Sequence, residues 1–369
     1  MRKTAWGFLL LLLLWPAAAP VAGGAYTYVD IHPNGWAESY AVCVNGRGQV
    51  AGYGNNGSGV RGFLRSSAGS MEILPPGASA ARVSWVNAFG EVAGTAVVDG
   101  RSRAFLYRDG TYLDPTPGWA FSEATYVGED GAVTGAGEFG AYVSRNGVVE
   151  VLPGFTVVVG TNASGYVIGN GENTAMLYLP GRGYLDVSPP GTSFAVARGI
   201  NESGLVALSS VQDGSEKGFV YSGGFYVFMT PPGWSSSAAM AINNFGQVAG
   251  YGESPAGRRS FLRTGSEYEE LAFPGWTSTE AVSVNDLRQV AGSGKTESGE
   301  THAFLASPPD GVSGSNEGSG AATGASAGGG GGCSVAPGNA GTESAPTKAL
   351  SLLTLFAPLV PLILCRRKL

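Results

Sequence analysis

Apolar residues occur along most of this chain in short runs, which are separated by polar turns rich in glycine. Two neighbouring runs, Ala239–Ile242 and Val248–Ala249, show the pattern, with Asn243 at the start of the turn between them. Many of the runs contain β-branched and aromatic residues, which favour extended strands. Within this part of the chain, no long segment repeats its apolar residues every 3.6 positions, as an amphipathic helix would. The pattern therefore predicts short β-strands joined by tight turns.

The turns belong to a repeat of seven copies, each with the motif Asn-x-x-Gly-x-Val-Ala-Gly or a variant of it. Neighbouring copies are 34 to 42 residues apart, and the first and last are 240 apart, so the mean period is 40. A period of this length indicates a propeller, a solenoid or another array. The first position of the motif, called the motif position below, is occupied by Asn45, Asn87, Gly128, Asn162, Asn201, Asn243 and Asn285.

The motif has the chemistry of a hairpin turn. An asparagine at the first position of a type I turn can bond the turn backbone, and a glycine three residues later can adopt positive φ. Arg288 replaces that glycine in the last copy, where we expect an altered or strained turn. Because turn chemistry explains both residues, the asparagines are interpreted as structural and not as a ligand site.

Each repeat offers four β-prone segments. The first leads to the motif position and the second is the Val-Ala-Gly run. The third joins a small, an aromatic and an aliphatic residue, as in Ala104–Leu106, and the fourth is a pair such as Tyr112–Leu113 before Pro and Gly. Four strands in about 40 residues are typical of a propeller blade.

The two ends of the repeat region complement each other. The last copy stops after its third segment at Phe304–Leu305, and a surplus fourth segment, Tyr28–Val29, lies near the start of the chain. Pairing them would remove two free strand edges, whereas an open solenoid would not need this complementarity. We therefore predict an all-β fold over residues 26–307: a seven-bladed β-propeller of four-stranded blades, closed by an N-terminal strand that completes the last blade.

Charge and cysteine content narrow the possible partners. The formal net charge is −6, and it falls to −11 without the five basic residues close to the two chain ends. An acidic exterior argues against a nucleic acid as partner. Only one of the three cysteines, Cys43, lies in the repeats, so the core and not a disulfide framework is expected to hold the fold.

The repeats contain no recognisable catalytic or metal-binding motif. The two histidines, His32 and His302, are far apart in sequence, and no serine elbow, Cys–His pair or phosphate loop occurs. We therefore expect no enzyme, no metal and no cofactor. An alternative stays open, because a propeller can bring acids from different repeats together as a glycosidase pair. The candidates are Glu91, Glu123, Asp130, Glu150, Glu202, Glu269, Glu270 and Glu280.

Aromatic residues recur after the Pro-Gly of five repeats. They are Trp36, Trp119, Phe155, Trp234 and Trp276. We favour the interpretation that each ring wedges between adjacent blades and buries its area there. The alternative is a ring of exposed aromatics that stacks on sugars or binds a protein.

The chain ends have the composition of targeting segments. Residues 1–25 have the basic start, apolar run and small-residue cleavage region of a secretory signal peptide. Residues 308–348 are rich in Gly, Ser, Ala and Thr, as in a disordered linker. Residues 349–369 form an apolar segment with a basic end, which predicts a hydrophobic anchor or sorting tail, although the apolar part is short for a bilayer span.

The repeat resembles the HAF family of extracellular repeats, named for a His-Ala-Phe tripeptide that stands here as His302-Ala303-Phe304. The resemblance covers residues 26–307 and implies a secreted or surface bacterial protein without an established activity. The tail resembles bacterial C-terminal sorting signals, in which a cysteine matching Cys333 is the residue of processing and anchoring. We therefore expect a surface-tethered binding or scaffold module for a cell-surface protein or polysaccharide. An extracellular propeller enzyme acting on glycan is the alternative.

Overall fold

The structure is a computed structural model and describes residues 26–309, which form seven four-stranded antiparallel sheets. The predicted signal peptide, most of the linker, the tail and Cys333 lie outside the described residues. Within residues 26–309, no helix is long and apolar enough to cross a membrane.

The strands of the first four blades and the closing strand come first in the chain. They are β1 (Thr27–Asp30), β2 (Glu38–Val44), β3 (Val50–Asn55), β4 (Val60–Ser66), β5 (Gly69–Ile73), β6 (Ala78–Val86), β7 (Val92–Val98), β8 (Arg101–Arg108), β9 (Thr111–Leu113), β10 (Ser122–Val127), β11 (Val133–Gly137), β12 (Gly140–Arg145), β13 (Val148–Val151), β14 (Val157–Thr161), β15 (Val167–Asn170), β16 (Ala175–Leu179) and β17 (Gly183–Asp186).

The strands of the last three blades follow. They are β18 (Phe194–Ile200), β19 (Val206–Gln212), β20 (Ser215–Ser222), β21 (Phe225–Phe228), β22 (Ala238–Ile242), β23 (Val248–Ser254), β24 (Gly257–Thr264), β25 (Glu267–Leu271), β26 (Trp276–Val284), β27 (Val290–Thr296) and β28 (Thr301–Ser307).

Sequence order and sheet order coincide in six blades, from β2–β5 in blade 1 to β22–β25 in blade 6. The first strands of neighbouring blades contact each other around the whole ring, including β2 with β26, so these strands are innermost. The prediction of a seven-bladed propeller is confirmed. Each first strand runs from an upper face, where the connections between blades lie, to a lower face, where the motif turns lie.

Blade 7 is completed by the N-terminal strand, as predicted. Strand β1 pairs antiparallel with β28, with Thr27 opposite Ser307 and Asp30 opposite Phe304. Tyr26 Oη also donates a hydrogen bond to the carbonyl oxygen of Arg288, at 3.0 Å. The two ends of the described chain therefore meet at the lower face of blade 7.

The two histidines meet at the upper end of this closure. The rings of His32 and His302 are stacked, with centroids 3.9 Å apart and planes 11° from parallel. His302 Nδ1 lies 2.7 Å from Asp30 Oδ2, and His32 Nε2 donates to the carbonyl oxygen of Trp36 at 3.0 Å. The sequence analysis did not predict this pairing, which spans 270 sequence positions.

All seven first strands contain a β-bulge at the same place, three residues before the motif position. In blade 1 the register skips Val42, so that Ala41 and Cys43 oppose consecutive residues of β3. A bulge increases the local twist of a strand. The repeat pattern did not predict this feature.

The glycine of the Val-Ala-Gly run is needed where the first three strands of a blade pack. A Cβ on Gly52 would lie 2.3 Å from the carbonyl oxygen of Tyr40 and 2.4 Å from the ring of Phe63. The aromatic residue of the third segment therefore occupies the space that the glycine leaves. In blade 5 Leu208 stands at this position, and the ring of Phe219 is packed beside it in the same core cluster.

Candidate functional site

Each motif asparagine has a second role that joins neighbouring blades. Asn243 Oδ1 accepts the backbone N–H groups of Phe245 and Gln247, as the turn interpretation predicts. Its Nδ2 donates across the blade boundary to the carbonyl oxygen of Asn285, at 3.0 Å. The same cross-blade bond is made by six motif asparagines, namely Asn45, Asn87, Asn162, Asn201, Asn243 and Asn285.

The blade without a motif asparagine makes substitute bonds. In blade 3, Asp130 Oδ1 accepts the N–H of Ala132, which is the donor that an asparagine at position 128 would bind. Tyr126 Oη bonds the carbonyl oxygen of Thr161 in blade 4, at 3.2 Å. In blade 3, these contacts therefore supply the turn bond and the cross-blade bond that the motif asparagines make in the other blades.

Arg288 keeps the turn of its blade at positive φ. Its φ is 61°, and its N–H still donates to the carbonyl oxygen of Asn285 at 3.0 Å. We expected this turn to be either altered or strained. Its backbone is strained, but its hydrogen bond is unaltered. A non-glycine residue in this region costs about 1–2 kcal/mol.

The aromatic residues that follow the Pro-Gly of five repeats make ring contacts within their own blades, as Trp119 does with Tyr142 and Trp234 with Phe261. Trp119 and Phe155 are buried, and the other three are half-buried. Trp36 lies edge-on to Phe63 of its own blade with centroids 5.8 Å apart, and it also packs against a core cluster that includes Ala291 and Ala303 of blade 7. A wedge between adjacent blades stays a prediction for these rings. Ligand binding by the exposed edges of Trp36, Trp234 and Trp276 stays a prediction.

Another position of the repeat carries polar and charged residues at the upper face. Five residues before the motif position, blades 4, 5 and 6 carry Val157, Val196 and Ala238, which are buried. The same position in the other blades is polar and half-buried, and it is occupied by Tyr40, Arg82, Glu123 and Glu280. Since this position lies on the innermost strands, these four side chains of blades 7, 1, 2 and 3 lie on one side of the upper end of the propeller axis.

The first cluster of this site lies on blades 1 to 3 and consists of Tyr40, Tyr53, Arg82 and Glu123. Tyr40 and Tyr53 are stacked with centroids 5.4 Å apart, and the Arg82 guanidinium lies 5.0 Å from the centre of the Tyr53 ring. Burial raises the pKa of the Glu123 carboxyl, although the positive charge of Arg82 acts in the opposite direction. Burial, together with Glu38, raises the pKa of Tyr40 to about 12.

The second cluster lies on blades 5 to 7 and consists of Arg198, Glu216, Tyr251, Arg258 and Glu280. Arg258 lies 5.0 Å from the centre of the Tyr251 ring and forms ion pairs with Glu253 at 2.9 Å and with Glu280 at 2.8 Å. Arg258 and Glu280 are each about 40% exposed, so a ligand can reach them.

Glu216 is an acid of the second cluster whose carboxyl has a shifted pKa. Burial raises the pKa of its carboxyl, Arg198 and Arg258 oppose that rise, and Glu280 adds to it. Sequence reasoning included Glu123 and Glu280 among scattered acids but missed Arg82, Arg198, Glu216 and Arg258. Aligning the repeats by phase would have found Arg82, because its position is polar in four blades and apolar in the other three.

Two cavities open at the upper face near these residues. A small one of about 30 Å³, roughly the space of one water molecule, is lined by residues that include Glu123, Thr156, Asn170 and Glu172. An open groove of about 740 Å³ lies further out, and Arg101, Arg103, Asp114 and Trp119 contribute to its walls. Ligand sites in proteins have volumes of about 300–1,000 Å³, so the groove is large enough for a ligand.

Other acids named from the sequence do not join the site. Glu91 pairs with Arg108 and Asp130 with Arg145, and Glu269 lies 3.6 Å from Arg288, all toward the lower face. Among residues 26–309, no group of three or more His, Cys, Asp or Glu side chains could hold a metal ion.

No protein-family model matches the chain, and no curated protein does. Its fold is similar to that of a streptogramin B lyase, with a TM-score of 0.53 and 12% identity over 77% of this chain and 98% of that one. Virginiamycin B lyase from Staphylococcus aureus has a TM-score of 0.48 and 13% identity, over 76% of this chain and 99% of that one. The extracellular domain of a protein named as a one-component system from B. thetaiotaomicron also has a TM-score of 0.48, with 12% identity over 76% of this chain and 40% of that one.

The comparison corrects one prediction. The sequence led us to expect that the chain is not an enzyme, but the streptogramin B lyase is an enzyme with this architecture. A lack of local motifs therefore does not exclude catalysis, because a propeller assembles its polar residues from several blades. At 12% identity the likeness shows the fold alone, and the resemblance to the HAF family stays a prediction.

Proposed function

We propose that the chain is an exported, surface-tethered propeller that binds a hydroxyl-rich ligand, such as a cell-surface polysaccharide, at its upper face. The observation that carries this proposal is the convergence of two half-buried Tyr–Arg–Glu clusters, from blades 1–3 and 5–7, around one end of the axis. Arginine and carboxylate groups that are held in place by packing can bond hydroxyl and acidic groups of a sugar with little loss of side-chain entropy.

The position of the chain ends supports this orientation. Ser307, the last strand residue, is at the lower face, so the predicted linker and tail continue from the side opposite the clusters. A propeller tethered through its tail would therefore present the upper face to the surroundings.

A screen of surface polysaccharides against residues 26–309 tests the proposal. We expect Arg82→Gln and Glu280→Gln each to weaken binding by about 10- to 100-fold, because each removes a charged hydrogen-bonding group. Glu267→Gln, which changes an exposed acid at the lower face, is the matched control and should bind as the wild type does. Equal binding by all four proteins would place the ligand elsewhere.

Catalysis at the same clusters is the second candidate function, and one observation favours it. The Glu216 carboxyl is mostly buried, has a raised pKa and lies among Arg198, Arg258 and Glu280, which is an arrangement suited to a general acid. If a bound glycan is cleaved, Glu216→Gln should abolish product formation while changing binding by less than about threefold. Cleavage at the wild-type rate by this variant would exclude Glu216 from the chemistry.

A further inference from the structure

The tips of the motif turns divide the lower face into two arcs. The tip is the second residue after the motif position, and in five turns its N–H donates to the asparagine Oδ1, which fixes the turn and leaves the side chain outside. Four consecutive blades, 6, 7, 1 and 2, carry Phe245, Leu287, Arg47 and Phe89, which we call the apolar arc. The remaining tips form the polar arc of Asp130, Ser164 and Ser203.

The apolar arc is exposed to solvent in the described structure. Phe89 is 61% exposed, Leu287 49% and Phe245 45%. The Arg47 guanidinium, at the fourth tip of the arc, lies 6.0 Å from the centre of the Phe89 ring. Large apolar side chains grouped on one part of a surface mark a contact with a protein or a membrane.

The chain ends are attached at the middle of the apolar arc. Gln289 Nε2 donates to Ser307 Oγ at 3.3 Å, and Tyr26 Oη bonds the carbonyl oxygen of Arg288, so both ends contact the turn that carries Leu287. After Ser307 the sequence continues through a glycine-rich stretch to the apolar run 349–364 and the basic residues Arg366 to Lys368. A membrane held by that run would be adjacent to this face.

The charges of the apolar arc suit a lipid headgroup region. Each of its blades carries an arginine at the lower face, namely Arg263, Arg288, Arg65 and Arg108 in the order of the arc. Two carboxylates of these blades have partners, since Asp286 accepts from the backbone N and from Nδ2 of Asn244, both at 2.9 Å, and Glu91 pairs with Arg108. Arg288 lies 3.6 Å from Glu269, and Glu267 of blade 6 is exposed. Arginines can bond lipid phosphates while apolar tips enter the interface.

We propose that the apolar arc lies against the lipid surface to which the chain is tethered, so that the propeller sits on the membrane through its lower face. The proposal rests on the tethering part of the proposed function and not on the ligand of the upper face. The polar arc of Asp130, Ser164 and Ser203 would lie at the edge of the contact, which tilts the propeller toward blade 7.

Hydrogen exchange on the full chain, with and without phosphatidylcholine vesicles, tests this contact. We expect vesicles to slow exchange several-fold at the turns 87–91, 243–247 and 285–289. The turns 162–166 and 201–205 have the same hydrogen bonds but polar tips, so they serve as controls within one molecule. Equal slowing of both sets, or of neither, would overturn the proposal.

Substitution gives an independent measurement. The full chain with Phe89→Ser, Phe245→Ser and Leu287→Ser should partition onto the vesicles at least about tenfold more weakly than the wild type. Phe139→Ser, which replaces a 62% exposed ring at the upper face, is the control and should partition normally. Because these side chains are exposed, thermal stability should be unchanged.

The outcomes separate the contact from the tether. A triple variant that stays on the vesicles as the wild type does, with its turns still exchanging fast, means that the tail holds the chain and the arc does not touch lipid. A chain that washes off in every form overturns both tethering and contact. A vesicle-independent dimer that the triple substitution dissociates would assign the arc to a second copy of this chain and overturn the lipid proposal.

Discussion

Replacing Asn243 by alanine should destabilise the propeller by about 2–4 kcal/mol. The side chain is fully buried and makes four hydrogen bonds. Its Nδ2 donates to the carbonyl oxygen of Asn285 at 3.0 Å and to Gln247 Oε1 at 2.7 Å. Its Oδ1 accepts from the N–H groups of Phe245 at 3.1 Å and Gln247 at 2.9 Å.

The magnitude follows from what each former partner can do after the substitution. The N–H of Gln247 is buried and would be left without an acceptor, at a cost of about 1–3 kcal/mol. The carbonyl oxygen of Asn285 keeps the hydrogen bond from Arg288, so its loss is about 1 kcal/mol. The N–H of Phe245 belongs to an exposed turn tip and can bond water, so it adds little.

Urea denaturation, followed by tryptophan fluorescence, measures the difference in the free energy of unfolding. Asn173→Ala is the matched control, because it removes an exposed asparagine from a loop of blade 4 and should change stability by less than about 0.5 kcal/mol. If Asn243→Ala is as stable as this control, the cross-blade asparagine bonds do not hold the ring together.

Deleting residues 26–35 should expose the edge of β28 and give oligomeric or insoluble protein in gel filtration, and an equally stable monomer would refute the role of ring closure. Trp119→Ala should cost about 3–5 kcal/mol in urea melts, because its ring is buried, and a neutral result would refute the wedge. Burial raises the pKa of Glu216, so its contribution to stability is complete below the unfolded-state pKa and declines as pH rises through the folded-state pKa. As the pH rises from about 4.5, the melting temperature of Glu216→Gln should therefore fall less than that of the wild type. Equal pH profiles of the two proteins would contradict a raised pKa of Glu216. Truncation after Ser307 should release the protein from the membrane fraction, and Cys333→Ser should do the same if the tail is a processed sorting signal, whereas release by truncation alone would make the apolar run the anchor.

The number of blades, their strands and the closure could be predicted from the sequence because each of them shows in the segments of single repeats. The motif Asn243-x-x-Gly246 specifies a turn through hydrogen bonds that span four residues. A missing fourth segment after Phe304 and a surplus one at Tyr28 are visible without any coordinates. Local geometry sufficed for these features because strand length and turn type depend on neighbouring residues.

Contacts between blades could not be predicted in the same way. The Nδ2 of Asn45 and the carbonyl oxygen of Asn87 are 42 residues apart, and only the curvature of the ring brings them to 2.8 Å. The stacking of His32 on His302 likewise depends on closure, because the two residues lie at opposite ends of the repeat region. The shared bulge of the first strands is a further response to packing around a narrow axis.

The sequence by itself therefore determined that this chain folds as seven equivalent blades closed by its own N-terminal strand. Only the tertiary structure decided which of its polar residues act together. Arg82 and Glu123 occupy the same repeat position on neighbouring blades, whereas Arg258 and Glu280 occupy different positions on neighbouring blades. Each pair comes together because the ring packs the strands of one blade against those of the next. The position that a residue occupies within its repeat can be read from the sequence. The distance between residues of different blades is set by the packing of all seven blades, which no single repeat encodes.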